Sequence, residues 1–290
     1  MMPLRCAWTL CRLAVLAAAV SVAAEDEFRL VMRAGFEDET PENFETSFPG
    51  GAIKVTDGEY SVGQRALAVT GEGIIDVERY LKYHDQQTRV AFHYKAAGYK
   101  IIRVLAGCVE EKENLYANLT NLPQGQWGWA VVRCADWRNV VPRHGGPECP
   151  FGERTGAGKN FRNLVFHVMA PDKQVEQPAV YLDNIVIWSG RDTQAPTLTG
   201  PAKLATDAQG RFLTWPDAKD NVGVAYYEVW KGQTADFESS KGELAGKPVV
   251  AELPVGAAAA HYRVVAVDYE GNRSAPGAAL AVPAAPAKKE

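Results

Sequence analysis

The sequence predicts an all-β protein made of two β-sandwiches in tandem. Three observations carry this reading. From residue 28 onward the chain runs as short β-branched and aromatic stretches, alternating or continuous, separated by Gly, Pro, Asn and Asp. No apolar pattern of period 3.6 is long enough for a helix of three or more turns. A polar, Pro-terminated break, Ser189-Gly190-Arg191-Asp192-Thr193-Gln194-Ala195-Pro196, divides these stretches into two sets, and 290 residues suit two domains.

The elements follow in order. Arg5 and Arg12 precede an apolar run from Leu13 to Val22, and small residues at Val22-Ala23-Ala24 come before the acidic Glu25-Asp26-Glu27. Residues 1–24 therefore read as a secretory signal peptide, with a run too short for the roughly 20 residues of a membrane span. The mature chain is expected to be secreted, or held in the periplasm or cell envelope, without a membrane span. Loss of Arg5 and Arg12 takes the net charge from −4 to −6.

Residues 25–190 form the first predicted domain, with strands expected at 53–55, 65–69, 89–96, 101–108, 127–133, 164–169 and 180–188. Residues 191–283 form the second, with strands at 211–215, 225–231, 249–251, 261–268 and 278–282. The tail, 284–290, is Ala-, Pro- and Lys-rich and is expected to be disordered. Three of the five cysteines remain after processing: Cys108, Cys134 and Cys149. A Cys134 with Cys149 disulfide would restrain the loop that carries Pro142, Gly145, Gly146 and Pro147. Buried or free thiols are the alternative.

The second unit resembles a fibronectin type III domain of bacterial extracellular enzymes, an immunoglobulin-like sandwich. The residues that carry the resemblance are Asp192-Thr193-Gln194-Ala195-Pro196, Phe212-Leu213-Thr214-Trp215, Asp220-Asn221-Val222-Gly223-Val224-Ala225-Tyr226-Tyr227-Glu228-Val229-Trp230, and Tyr262-Arg263-Val264-Val265-Ala266-Val267-Asp268 with Glu270-Gly271-Asn272-Arg273-Ser274. It implies that Trp215 plugs the core and that Tyr262 forms a tyrosine corner. The first unit is similar to the galactose-binding-like β jelly rolls that include many carbohydrate-binding modules. That resemblance rests on Gly35-Phe36-Glu37-Asp38, Ser61-Val62-Gly63-Gln64-Arg65-Ala66-Leu67, Leu122-Pro123-Gln124-Gly125-Gln126-Trp127 and Val180-Tyr181-Leu182-Asp183-Asn184-Ile185-Val186-Ile187. It implies a structural calcium where the acid after the first strand meets the acid of the last, here Glu37 and Asp183. Asp57 is available as a further oxygen ligand. The alternative is that Asp183-Asn184 merely ends a strand.

Composition and motifs narrow the chemistry. Lys and Arg nowhere cluster into the stripe that phosphate neutralisation needs, which argues against nucleic acid as a partner. The five histidines lie in no His-Glu-x-x-His frame, and the chain has no Gly-x-Ser-x-Gly elbow. Glu110, Glu111 and Glu113 read as a solvated turn rather than glycosidase acids. Sugar recognition needs an aromatic ring against the apolar face of a pyranose. Trp127 and Trp129 read as buried. Trp137, beside the Gly/Pro-rich loop, reads as the exposed platform, with Tyr80, Tyr83 and Tyr116 as further candidates and rim packing as the alternative for all four.

The expected function is therefore that of a secreted, non-catalytic binding protein whose jelly roll engages a polysaccharide and whose fibronectin type III unit acts as a spacer. The rivals are an envelope or matrix protein that contacts other envelope proteins and has no sugar site, and a glycan-degrading enzyme.

Overall fold

The computed structural model describes residues 28–37, 44–46, 52–70, 74–77, 87–108, 114–133, 138–139 and 161–286. Within these the chain is nearly all β. The first set of strands is β1 (Arg29–Ala34), β2 (Phe44–Thr46), β3 (Ala52–Thr56), β4 (Ala66–Thr70), β5 (Ile74–Val77), β6 (Arg89–Ala97), β7 (Tyr99–Cys108), β8 (Asn114–Thr120), β9 (Trp127–Arg133), β10 (Arg138–Asn139), β11 (Phe161–Pro171) and β12 (Ala179–Ser189). They form two sheets. Sheet A has the order β3-β4-β12-β6-β9, with β1 also paired to β12; sheet B has the order β10-β8-β7-β11-β5-β2.

Alternation builds the core between the sheets. On β6, Val90, Phe92, Tyr94 and Ala96 point inward; on β12, Val180, Leu182, Ile185 and Ile187; on β7, Ile102 and Val104; and on β11, Phe166 and Val168. Phe92 meets Phe166 edge-on at 5.0 Å between ring centroids. The inward set on β12 changes parity between Leu182 and Ile185. A β-bulge at Asp183 and Asn184 accounts for this, with Asn184 at φ 46°, a left-handed conformation that Asn tolerates better than most residues.

The second set is β13 (Lys203–Thr206), β14 (Arg211–Thr214), β15 (Val224–Gly232), β16 (Glu243–Gly246), β17 (Glu252–Pro254), β18 (Ala260–Asp268) and β19 (Leu280–Val282). A three-stranded sheet, β13-β14-β17, faces a four-stranded one, β16-β15-β18-β19. Trp215 lies in the core between them, edge-on to Tyr227 at 5.2 Å, alongside Leu213, Val229, Tyr262 and Val264. Tyr262 is buried, and beside it in the same core the Tyr227 hydroxyl accepts the Ala218 N–H. The predicted strand at 249–251 is absent. Pro248 O accepts from Tyr227 N in one sheet and Ala251 O from Trp215 N beside the other, so this segment crosses between the sheets and joins neither.

The two sandwiches pack against each other through the outer face of sheet A. Ala91, Val186 and Trp188 of that face cluster with Val222, Ala225 and Tyr269, and Val131 and Tyr226 pack at the margin. Polar contacts cross the same seam. The Arg33 guanidinium donates to the carbonyls of Asp220 and Asn221, both at 2.8 Å, and Arg89 pairs with Glu270 at 2.7 Å. Sheet A is thus covered on both faces, and β12 accordingly reads as an almost unbroken apolar run rather than an alternating one.

Candidate functional site: an open sheet face and a buried polar junction

The turn between β3 and β4 draws together acids from three parts of the chain. Asp183 Oδ2 accepts the N–H groups of Ser61 and Val62, each at 2.9 Å; Asp217 of the second sandwich accepts Gly63 N; and Glu37 accepts Gln64 N and Arg65 N. Gly63 has φ 74°, and a Cβ there would run into the Glu37 carboxylate, so both conformation and close approach call for glycine. Asp57 pairs with Arg65 at 2.8 Å.

Glu37 and Asp183 therefore converge on the turn that the sequence singles out, but the partners they meet there are backbone N–H donors. Glu37, Asp57 and Asp183 do not form a cation-ready cluster. Among the described residues, the acids whose ligand atoms all lie within 4.8 Å of one another are Asp192, Asp220 and Asp268.

Ser61, His93 and Asp183 have the composition of a hydrolase triad without its wiring. Ser61 Oγ stands between the other two, donating to Asp183 at 2.8 Å and lying 2.7 Å from His93 Nδ1. In a nucleophilic triad the histidine sits between acid and serine. All three side chains are at most 3% exposed, so no substrate reaches the hydroxyl. Burial lowers the His93 pKa to about 4 and raises that of Asp183 to about 6, the latter partly offset by the N–H donors of Val62 and Ser61. His93 Nε2 lies towards the Val224 and Ala225 backbone of the second sandwich without hydrogen-bond geometry. Asn184 Nδ2 reaches the Tyr269 hydroxyl at 3.2 Å. This network joins the two sandwiches.

The outer face of sheet B has no such cover from the second sandwich. Arg103 of β7 stands between Asn118 of β8 and His167 of β11 in the ladder. Its Nε donates to Asn118 Oδ1 at 2.8 Å, and its guanidinium lies 4.7 Å from the centre of the Tyr116 ring. Two residues along the ladder, on the same face, Ile101 faces Thr120. Those two residues open into a cavity of about 670 Å³, whose wall also includes Lys100, Asn121, Leu122 and Asp172. Tyr116, Arg103 and Asn118 thus share the outer face of sheet B with Ile101 and Thr120, which line the cavity, and together these residues and the cavity wall supply an aromatic ring, a hydrogen-bonded guanidinium, amides and an acid. Such a mixture can read sugar hydroxyls while an apolar ring face meets the C–H face.

Of the sequence-predicted ligand residues, Tyr116 lies on this face. Trp137, Tyr80 and Tyr83 fall outside the described residues, as do Cys134 and Cys149. Asn118 escapes the sequence reading because 114–120 carries no predicted strand, while Arg103 and His167 lie in predicted strands, 101–108 and 164–169, where nothing in the sequence sets them apart from ordinary sheet residues. The alternation of 114–120, Leu115, Ala117 and Leu119 against Tyr116, Asn118 and Thr120, is the signal that finds Asn118. Trp129 is also corrected: it is 41% exposed and stacks on Tyr226 of the second sandwich at 5.5 Å, because β9 is the edge strand of sheet A. Among the described residues no helix is long and apolar enough to cross a membrane.

No protein-family model matches the sequence, and no curated protein does. Structural neighbours of the chain include carbohydrate-binding modules and parts of glycoside hydrolases. A family 11 carbohydrate-binding module from Clostridium thermocellum, in complex with a β-1,3-1,4-mixed-linked tetrasaccharide, is 13% identical and covers 57% of this chain and 97% of its own, with a TM-score of 0.41. A family 22 xylan-binding domain from Paenibacillus barcinonensis is 12% identical over 58% of this chain and 100% of its own, with a TM-score of 0.38. The glycoside hydrolase domain of Endo-D from Streptococcus pneumoniae R6 is 13% identical over 83% of this chain and 37% of its own, also at 0.38.

Proposed function

We propose that this is a secreted, non-catalytic carbohydrate-binding protein. The outer face of sheet B, from Tyr116 through Arg103 and Asn118 to the cavity beside Lys100 and Asp172, holds a glycan. The second sandwich, of fibronectin type III type, serves as a rigid backing to sheet A rather than a loose spacer. One observation carries the reading: the sheet face that bears Tyr116, Arg103 and Asn118 also bears Ile101 and Thr120, which line a cavity of about 670 Å³, while the outer face of sheet A packs on the second sandwich. Non-catalytic action is supported by the burial and wiring of Ser61, His93 and Asp183.

The test is a glycan array followed by titration of the best binder. A shallow site of this kind gives dissociation constants from about micromolar to millimolar. Tyr116→Ala and Arg103→Ala should each weaken binding at least about tenfold, equivalent to about 1.4 kcal/mol, with melting temperatures within a few degrees of the parent. If no glycan binds at millimolar concentration, or if both variants bind as the parent does, the carbohydrate reading fails and the protein-contact reading replaces it. Reducing-sugar release from the bound polysaccharide would instead make the protein an enzyme.

A further inference from the structure

A second site lies where the connection between the sandwiches meets two loops of the second. Asp192 comes from the connection, Asp220 and Asn221 from the loop before β15, and Asp268 from the end of β18. One ligand atom from each of the three carboxylates lies within 4.8 Å of the other two. That is the greatest separation two oxygens can have on opposite sides of an ion bound at about 2.4 Å. Proximity alone would be an unremarkable acidic cluster.

The unmet oxygens make it more than that. Asp192 is 3% exposed, and its Oδ2 has no hydrogen-bond donor, although Oδ1 accepts from Gln194 N and Asn221 Nδ2. Asp220 Oδ1 and Asn221 Oδ1 are buried and equally without donors, while Asp220 Oδ2 accepts Val222 N. Asp268 has both oxygens engaged, with Glu270 N, Asn272 N and Asn272 Nδ2. None of these three carboxylates forms an ion pair among the described residues. The nearby cation, Arg33, directs its guanidinium at the Asp220 and Asn221 carbonyls. Buried oxygens without donors are costly, and buried carboxylates packed together repel one another. A bound cation removes both penalties at once.

We propose that Asp192, Asp220, Asn221 and Asp268 bind one calcium ion. The choice of calcium follows from the donors: carboxylate and amide oxygens only, from three separate segments and without symmetry, which suits a large cation of variable coordination better than magnesium with its strict octahedron. The ion would tie the interdomain connection to the two loops that face sheet A. Val222 lies in the interdomain apolar cluster two residues after Asp220, and Tyr269 and Glu270, which follow Asp268 directly, touch Asn184 and Trp188. Calcium would therefore stiffen the seam between the sandwiches. This inference does not depend on the carbohydrate reading.

The experiment is calorimetric titration of calcium chloride into the chelator-stripped full mature chain, paired with thermal unfolding. The expected result is one ion per chain and, at about a hundredfold excess over the dissociation constant, a melting temperature higher by about 5 to 10 °C. Asp220→Asn, at a half-buried position, should reduce calcium affinity at least about tenfold and remove the thermal shift. Glu37→Gln, which keeps the acceptor for Gln64 and Arg65, should leave both intact. The proposal is overturned if the parent neither binds nor shifts, if magnesium chloride reproduces both effects at equal concentration, or if binding survives Asp220→Asn and is lost with Glu37→Gln. Should Asp192→Asn fail to fold, the Asp220→Asn comparison decides alone.

Discussion

Trp188→Ala tests whether the two sandwiches behave as one cooperative body. Trp188 is completely buried, although it lies on the outer face of sheet A: Val222, Ala225 and Tyr269 of the second sandwich cover it, and its indole N–H donates to Glu270 at 3.2 Å. A buried tryptophan removes up to about 250 Å² from water, which at about 25 cal/mol/Å² is about 6 kcal/mol before partial collapse of the cavity and residual structure in the unfolded chain are allowed for. Measured truncations of this kind cost about 3 to 5 kcal/mol. Glu270 keeps its ion pair with Arg89, so no unpaired charge adds to that cost. The expected outcome in urea is a loss of about 3 to 5 kcal/mol. The parent should unfold in a single transition and the variant in two, since the lost contacts are those that couple the sandwiches. A loss below about 1 kcal/mol, with the transition still single, would refute the packing argument.

Other consequences can be checked with the same material. Residues 25–190 expressed alone should aggregate or bind a hydrophobic dye, because Ala91, Val186 and Trp188 lose their cover; a soluble, cooperatively folded fragment would contradict this. Trp215→Ala, in the second core, should cost about 3 to 5 kcal/mol by urea unfolding without changing glycan affinity. Gly63→Ala should destabilise by more than about 1 kcal/mol, since φ is positive and the added Cβ meets the Glu37 carboxylate. For pH, His93 is held neutral down to about pH 4, so its contribution falls as pH drops from its unfolded pKa near 6.5; Asp183, raised to about 6, contributes in the opposite direction as pH falls from about 6 to 4. The two slopes largely cancel in the parent, and Asp183→Asn should unmask the first, losing about 2 kcal/mol more than the parent between pH 7 and 4.5.

Much of the fold was legible because the core strands have strong one-sided or two-sided apolar patterns. Residues 127–133 match β9 at both ends, 89–96 differs from β6 by one residue at its C-terminal end, and 180–188 differs from β12 by one residue at each end. The misses have physical causes. Asn114–Thr120 alternates well, but Asn118 and Asn114 depress its β propensity. Residues 249–251 have strand propensity, yet Pro248 and the passage between sheets leave no ladder to join. At the site, the sequence located the turn at Ser61–Arg65 and the acids Glu37 and Asp183 that meet it, while the chemistry of the meeting was hidden because five successive N–H donors leave no mark in side-chain identity. Trp129 was misjudged for a related reason: alternation places it on the outer face of sheet A, and only the limits of the second sandwich determine how much of that face stays open.

The cover on sheet A also decides where a ligand can go. A sandwich standing alone would offer two outer faces, and the aromatic residues of β9 would compete with Tyr116 as a platform. Here Trp129 is engaged with Tyr226, and the His93 row lies beneath Tyr269, so the described surface that combines an aromatic ring, fixed polar groups and an adjoining cavity is that of sheet B. Rigidity follows from the same arrangement. β12 lies at the centre of sheet A with apolar packing on both sides, and its bulge at Asp183 and Asn184 is held by Ser61 in one sandwich and Tyr269 in the other. Sheet B packs on that support through Phe92 and Phe166. On the proposed reading, a ligand on sheet B would meet side chains carried by a packed support, and a site with few contacts keeps more of its interaction energy as affinity when little ordering remains to be done.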